Sequence, residues 1–223
     1  LIHCSKKDSM KNVGQFLMGF AVMYVGLTFM KDCSNAILGQ YQTGMMSFFG
    51  SINGFGFGSI ILFLIAGAVL TIVLQASSAT MAITMLLAAS GLIDFKLAVA
   101  MVLGENIGTT ITAFIASLGT GTSGKRAALA HTLFNVVGSL IAIIVFKPFL
   151  ALVNAITPGD IFTANVEALR ELLPIFLSMF HTVFNLVNTT IFLPFTGKFA
   201  NLIEHLIPDT VEDDGSYRFK YIA

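Results

Sequence analysis

Gln75-Ala76-Ser77-Ser78-Ala79-Thr80 is a polar island inside an otherwise apolar tract, and it limits the folds open to this chain more than any other stretch. Upstream, residues 59–74 are almost wholly hydrophobic; downstream, residues 81–92 are again apolar or small. Each flank falls short of the about 20 apolar residues that a helical span needs. As helices they would reach only about 24 Å and about 18 Å. Small and polar residues in a row at membrane depth must be buried in protein or line a wet cavity, because lipid cannot hydrogen-bond their backbone. The pattern predicts a broken helix or re-entrant hairpin over 59–92 with the island at its tip, the kind of place where transporters bind solutes.

Composition supplies the membrane setting. Of 223 residues, 56% are hydrophobic and 11% charged, and the mean hydropathy is +0.86. These values place the chain among polytopic membrane proteins rather than soluble domains, and the expected fold class is all-α. Between Cys33 and Gly124 only Asp94, Lys96 and Glu105 carry charge. The 12 basic and 12 acidic residues balance, so no basic face for nucleic acid is expected. Cys4 and Cys33 flank the first apolar segment; if it spans, they lie on opposite sides and cannot pair. The opening Leu1-Ile2-His3-Cys4, followed by Lys6, Lys7 and Asp8, has no signal-peptide pattern. It reads as a loop entered mid-protein, so the chain is expected to be one piece of a longer polypeptide.

Several further segments are predicted. Residues 13–30 form a first span that ends at Lys31 and Asp32, and residues 39–58 form an interfacial or broken segment. Residues 96–118 contain a second interruption, Gly104-Glu105-Asn106-Ile107-Gly108-Thr109-Thr110. They are expected to cross as two half-helices with an unwound middle, or to form a second re-entrant loop. Residues 119–124 are a turn, and 127–152 a full span kinked near its end by Pro148. An outer loop is expected over 154–170, a last span over 172–195, and an amphipathic interfacial segment over 197–207. The domain reading is a transmembrane domain over 1–207 and a cytoplasmic connector over 208–223. Loop lysines and arginines place Lys6, Lys7, Lys11, Lys125, Arg126 and Lys198 on one side against Lys31, Lys96, Lys147 and Arg170 on or near the other, which makes the first side and the tail cytoplasmic, in the inner (plasma) membrane; a re-entrant 96–118 would reverse the later assignments.

The two islands offer hydroxyls and amides with little formal charge: Gln75, Ser77, Ser78 and Thr80 in one, Asn106, Thr109 and Thr110 in the other. Helices that start after each island aim N–H groups and positive dipole ends at the gap, which suits an oxyanion. Unwound carbonyls with Ser, Thr, Gln and Asn oxygens suit a hard cation of low charge such as sodium. Neither island holds an Arg or Lys, so an anion there needs counter-charge from a co-bound cation.

Three runs together resemble the type II sodium-dependent phosphate cotransporter family. They are 74–80, Leu103-Gly104-Glu105-Asn106-Ile107-Gly108-Thr109-Thr110-Ile111-Thr112-Ala113, and Arg126-Ala127-Ala128-Leu129-Ala130-His131-Thr132-Leu133-Phe134-Asn135. That family carries a Gln-Ser-Ser-Ser and a Gly-small-Asn-Ile-Gly-Thr signature in each of two inverted repeats. The order looks most like the second repeat of a bacterial member. His181-Thr182-Val183-Phe184-Asn185 with Leu193-Pro194-Phe195 resembles its last span, and 208–223 resembles the connector to a PhoU-like domain.

The resemblance implies sodium-coupled symport of inorganic phosphate by alternating access. It implies no enzymatic activity and no cofactor beyond sodium as the coupling ion. Phosphate is expected at Gln75, Ser77, Ser78, Thr80, Asn106, Thr109 and Thr110. Sodium is expected at Gln75, Ser77, Ser78, Glu105, Asn106 and Thr109, with His131 and Asn135 in support. Ala76 departs from the family's first serine. Glu105 stands where a small residue is expected, and there helps hold a cation or stays protonated. Only one repeat is present, so the partner half or a second copy is expected to complete the site.

The plainer readings differ by residue. A lone Ser in a membrane helix usually back-bonds to a carbonyl, and Gly104 with Gly108 could be a packing face. His131 and His181 would more often be polar pins between helices than ligands. A non-transporting membrane subunit that scaffolds or regulates a partner is the alternative function. An intramembrane enzyme using Ser77 or Ser78 with His131 is disfavoured, because no local spacing sets a base beside the hydroxyl.

Overall fold

In the computed structural model, residues 7–53, 56–162 and 165–209 are described, and these form eight α-helices and one 3-10 turn with no strand among them. Cys4, Lys6 and the rest of the opening stretch lie outside the described residues. Of the expected connector over 208–223, only Pro208 and Asp209 are described. Five helical stretches are long and apolar enough to cross a membrane: Asp8–Met30, Phe57–Leu74, Phe95–Ser117, Thr122–Ile144 and Glu171–Leu206.

Helix α1 runs without interruption over Asp8–Asn53. At 46 residues it is far longer than the about 30 Å hydrocarbon layer requires, so only part of it, the apolar stretch Asp8–Met30, is suited to crossing. The apolar stretch thus ends at Met30, before Lys31 and Asp32 as expected, but the helix itself does not: it continues to Asn53, so most of the expected interfacial or broken segment over 39–58 is helical. Met, Gln, Ala and Leu favour helix, and each intervening glycine costs only about 1 kcal/mol. Phe16, Leu17, Val22 and Val25 are exposed, as suits a lipid-facing surface. This helix up to Ser51 is one compact unit, and the chain from Ile52 onward is a second.

The second unit is built on a hairpin and the helix beside it. Helix α2 (Phe57–Leu74) ends at Gln75, and helix α3 (Ser77–Ala89) returns. Ser59, Phe63, Gly67 and Thr71 form the buried stripe of α2, one residue every four, while Ile65, Val69 and Val73 face outward. Asp94 caps helix α4 (Phe95–Ser117), its carboxylate accepting from the Leu97 N–H at 2.8 Å. α2 and α4 run parallel and in close contact: Gly67 lies on the backbone of Met101, Gly104 on that of Leu64, and Gly108 on Ala68.

Helix α5 (Thr122–Ile144) and helix α6 (Phe146–Ile156) replace the single expected span over 127–152. The cause is Pro148. Its ring clashes with the carbonyl four residues back, which belongs to Ile144, the last residue of α5. The chain therefore turns at Val145, and Asn154 lies in α6 rather than in a loop. Helix α7 (Val166–Phe192), a 3-10 turn (Leu193–Phe195) and helix α8 (Thr196–Leu206) follow. Phe176, Phe180 and Phe184 are buried on α7, and Phe180 meets Phe149 of α6 edge-on at 5.3 Å. Arg126, at the start of α5, donates to the Ile207 carbonyl at 2.9 Å and pairs with Asp209 at 3.0 Å, which ties the chain after α8 to α5.

Candidate functional site

The hairpin tip falls at Gln75 and Ala76, as its sequence predicts. Gln75 closes α2 in the left-handed region (φ 52°), its N–H donating to the Thr71 carbonyl at 2.7 Å. That conformation is unusual for a residue with a Cβ and marks a held turn. Ala76 is extended and stands at the N-cap of α3, where no side chain caps the helix. The first backbone bond of α3 runs from the Thr80 N–H to the Ala76 carbonyl. The amides of Ser77, Ser78 and Ala79 therefore begin the helix without a capping side chain. Gln75, Ser77 and Ser78 are all exposed. The positive end of the α3 dipole and a set of hydroxyl and amide groups thus share one open tip.

The second island behaves differently. α4 passes through residues 104–110 as an unbroken helix, which corrects the expected unwound middle and the alternative re-entrant loop. Three of its polar side chains bond back to their own helix. Asn106 donates to the Val102 carbonyl at 3.1 Å, Thr109 to Glu105 at 2.7 Å and Thr110 to Ile107 at 2.8 Å. Gly104 and Gly108 serve close contact with α2, the packing reading of that pair.

Hydrogen bonds divide the predicted residues into two sets. Gln75, Ser77 and Ser78 lie together at the exposed tip. Behind it, Thr80 is buried against Thr71 of α2, the two hydroxyls 3.2 Å apart, which pins the legs of the hairpin. Glu105 is 3% exposed and accepts from the Thr84 hydroxyl at 2.6 Å, joining α4 to α3. Asn106 Oδ1 lies 3.3 Å from His181 Nε2 of α7. His131 is exposed, and Asn135, buried on the same helix, donates back to the His131 carbonyl at 3.0 Å.

Sequence reading missed Thr71, Thr84 and Ser139. Thr84 carried a usable signal, since Thr80, Thr84 and Ala88 follow at helical spacing and form the buried face of α3. Ser139 of α5 reaches the Leu103 carbonyl at 3.4 Å. Asn188 of α7 donates to the Phe134 carbonyl and sits on Gly138, with its Oδ1 buried and unpaired among the described residues.

The sequence pattern of the Na+/Pi-cotransporter family matches residues 50–166. The uncharacterized protein YqeW of Bacillus subtilis (strain 168) is 37% identical over 145 residues, 65% of this chain and 43% of its own length. YjbB of Escherichia coli (strain K12), whose name assigns it provisionally to inorganic phosphate export, is 29% identical over 217 residues, 97% of this chain and 36% of its own. Sodium-dependent phosphate transport protein 2C of Mus musculus is 40% identical over 91 residues, 39% of this chain and 15% of its own. The chain thus spans less than half the length of these curated relatives. No solved structure matches it.

Proposed function

The chain belongs to the Na+/Pi-cotransporter family, and from that premise we propose that it supplies one half of a sodium-coupled inorganic phosphate transporter. The observation that carries this reading is the uncapped start of α3 beside exposed Gln75, Ser77 and Ser78. Backbone amides and hydroxyls donate to a phosphate oxyanion at that tip, with the helix dipole in support. The Gln75 side-chain carbonyl and the serine oxygens suit sodium, whose charge offsets that of the anion in the absence of Arg or Lys.

The exposed tip leaves one side of the site to be closed. A second inverted repeat, or another copy of the chain, would present its own tip there, this chain serving as the second repeat. Thr80, Glu105, Asn106, Thr109 and Thr110 then form the wall behind the tip, Glu105 held by Thr84 and Asn106 by His181. Alternating access would move the hairpin and its α4 backing against the partner half. The inner (plasma) membrane, with the chain end after α8 on the cytoplasmic side, is the setting proposed.

The test uses the complete gene product in proteoliposomes. Labelled phosphate should enter when a sodium gradient is imposed, and Ser77→Ala/Ser78→Ala should abolish uptake while the protein keeps its thermal stability. Uptake that persists when choline replaces sodium overturns the coupling. Phosphate movement that runs only outward would instead agree with the export that the YjbB name describes.

A further inference from the structure

At the far end of α2 from the hairpin tip lies a pocket of about 610 Å³ that the transport reading does not use. Ser59, on its wall, is about 24 Å along the helix from Gln75. The first turns of α2, α4 and α6 line it, so three helix starts converge on one cavity. Its charged groups are Lys96, Lys147 and Asp94. Neither lysine has an ion-pair partner among the described residues, whereas the Asp94 carboxylate is occupied in capping α4. The remaining wall is largely carbon, with Phe146, Leu150 and Phe162 prominent.

Two unpaired ammonium groups above an apolar wall call for a ligand with both characters. A free phosphate ion would leave the apolar wall unused and fill little of the volume. A zwitterionic headgroup would gain little from the excess positive charge. The location also decides: α4 is long and apolar enough to cross a membrane over Phe95–Ser117, which sets its first turn at the level of lipid headgroups. We infer that this pocket binds an acidic phospholipid, its phosphate on Lys96 and Lys147 and the upper part of its acyl chains along Phe146, Leu150 and Phe162. The inference is independent of the transport reading, since it uses none of the tip residues.

The full-length protein, reconstituted in vesicles with equal phosphatidylglycerol and phosphatidylcholine and then extracted in mild detergent, tests this by native mass spectrometry. Wild type should retain phosphatidylglycerol over phosphatidylcholine by about tenfold, the order expected for two lysines partly offset by one aspartate. Lys96→Ala/Lys147→Ala should lose that preference, and Lys96→Arg/Lys147→Arg should keep it. Equal retention of the two lipids by wild type, or an undiminished preference in the alanine pair, overturns the inference. So does displacement of the lipid by millimolar inorganic phosphate, which would assign the pocket to the free anion. Should the alanine pair fail to fold, a phosphatidylglycerol with a photoreactive group near its phosphate decides the matter on wild type. Cross-links to the peptides holding Lys96 or Lys147 support the site, and cross-links confined elsewhere overturn it.

Discussion

The two polar islands look alike in sequence and fold in opposite ways. Residues 75–80 and 104–110 both interrupt apolar tracts with small, hydroxyl and amide residues, yet the first breaks the helix and the second does not. The difference lies in where each side chain finds a partner. In α4, Asn106, Thr109 and Thr110 all bond back to carbonyls three or four residues earlier, and Gly104 and Gly108 are pressed against α2. At the tip only Thr80 bonds back, to Ala76, while Gln75, Ser77 and Ser78 stay exposed. A polar run in a membrane helix therefore marks an open site only where its groups are left free. Where the same groups are spent on the helix's own carbonyls, the run is an internal packing device.

The largest effect should come from the glycines that hold α4 intact. A Cβ on Gly104 meets the backbone of Leu64, which no side-chain rotation can relieve. Gly104→Ala should cost about 3 kcal/mol or more, because α2 and α4 must part. Thermal melting followed by circular dichroism, or loss of a monodisperse peak in detergent, reads it. A variant as stable as wild type would mean that α4 is not continuous because of this contact, and the contrast with the tip would need another cause.

A smaller loss is expected at the one tertiary hydrogen bond that ties the second island to the hairpin. Thr84→Val keeps the shape of the side chain and removes the hydroxyl that donates to Glu105. A buried carboxyl group left without that partner should cost about 2 kcal/mol. Thr84→Ser, which keeps the hydroxyl, should recover most of the loss in the same melting experiment. Equal melting of the valine and serine variants would show that Glu105 is held by something else. The buried set would then be less distinct from the exposed one.

How far the sequence revealed this follows from the same contrast. The hairpin was legible because its centre has no apolar residue larger than alanine, a local property, whereas the expectation that both flanks are too short to cross is corrected for α2, since Phe57–Leu74 is long and apolar enough to span. The last span and the amphipathic segment after it were legible from local properties too, the apolar length of one and the periodicity of the other. The continuity of α4 was not, since it depends on α2 backbone lying against Gly104 and Gly108, a contact between residues about 40 positions apart. The break at Val145 was half legible. Pro148 signals a disturbance, but its effect falls on Ile144, four residues earlier, and divides the segment into two helices. At the site, Gln75, Ser77 and Ser78 could be found by composition. The Thr84–Glu105 and Asn106–His181 pairs could not, because each joins elements whose packing no single stretch encodes.

The smallest effect is also the most direct probe of the tip. Ala76 occupies the N-cap of α3, where the family it resembles carries a serine and where a serine hydroxyl would accept from the N–H groups of the first turn. Ala76→Ser should therefore gain about 1 kcal/mol of stability, unlike almost any other hydroxyl added at membrane depth. If the tip holds phosphate as proposed, the added hydroxyl should also shrink the thermal stabilisation by phosphate, since the ligand would find fewer free donors. A melting series of wild type and Ala76→Ser, with and without phosphate, measures both quantities. If Ala76→Ser gains nothing, the first-turn amides of α3 already have partners, and the tip is as closed on itself as the island in α4.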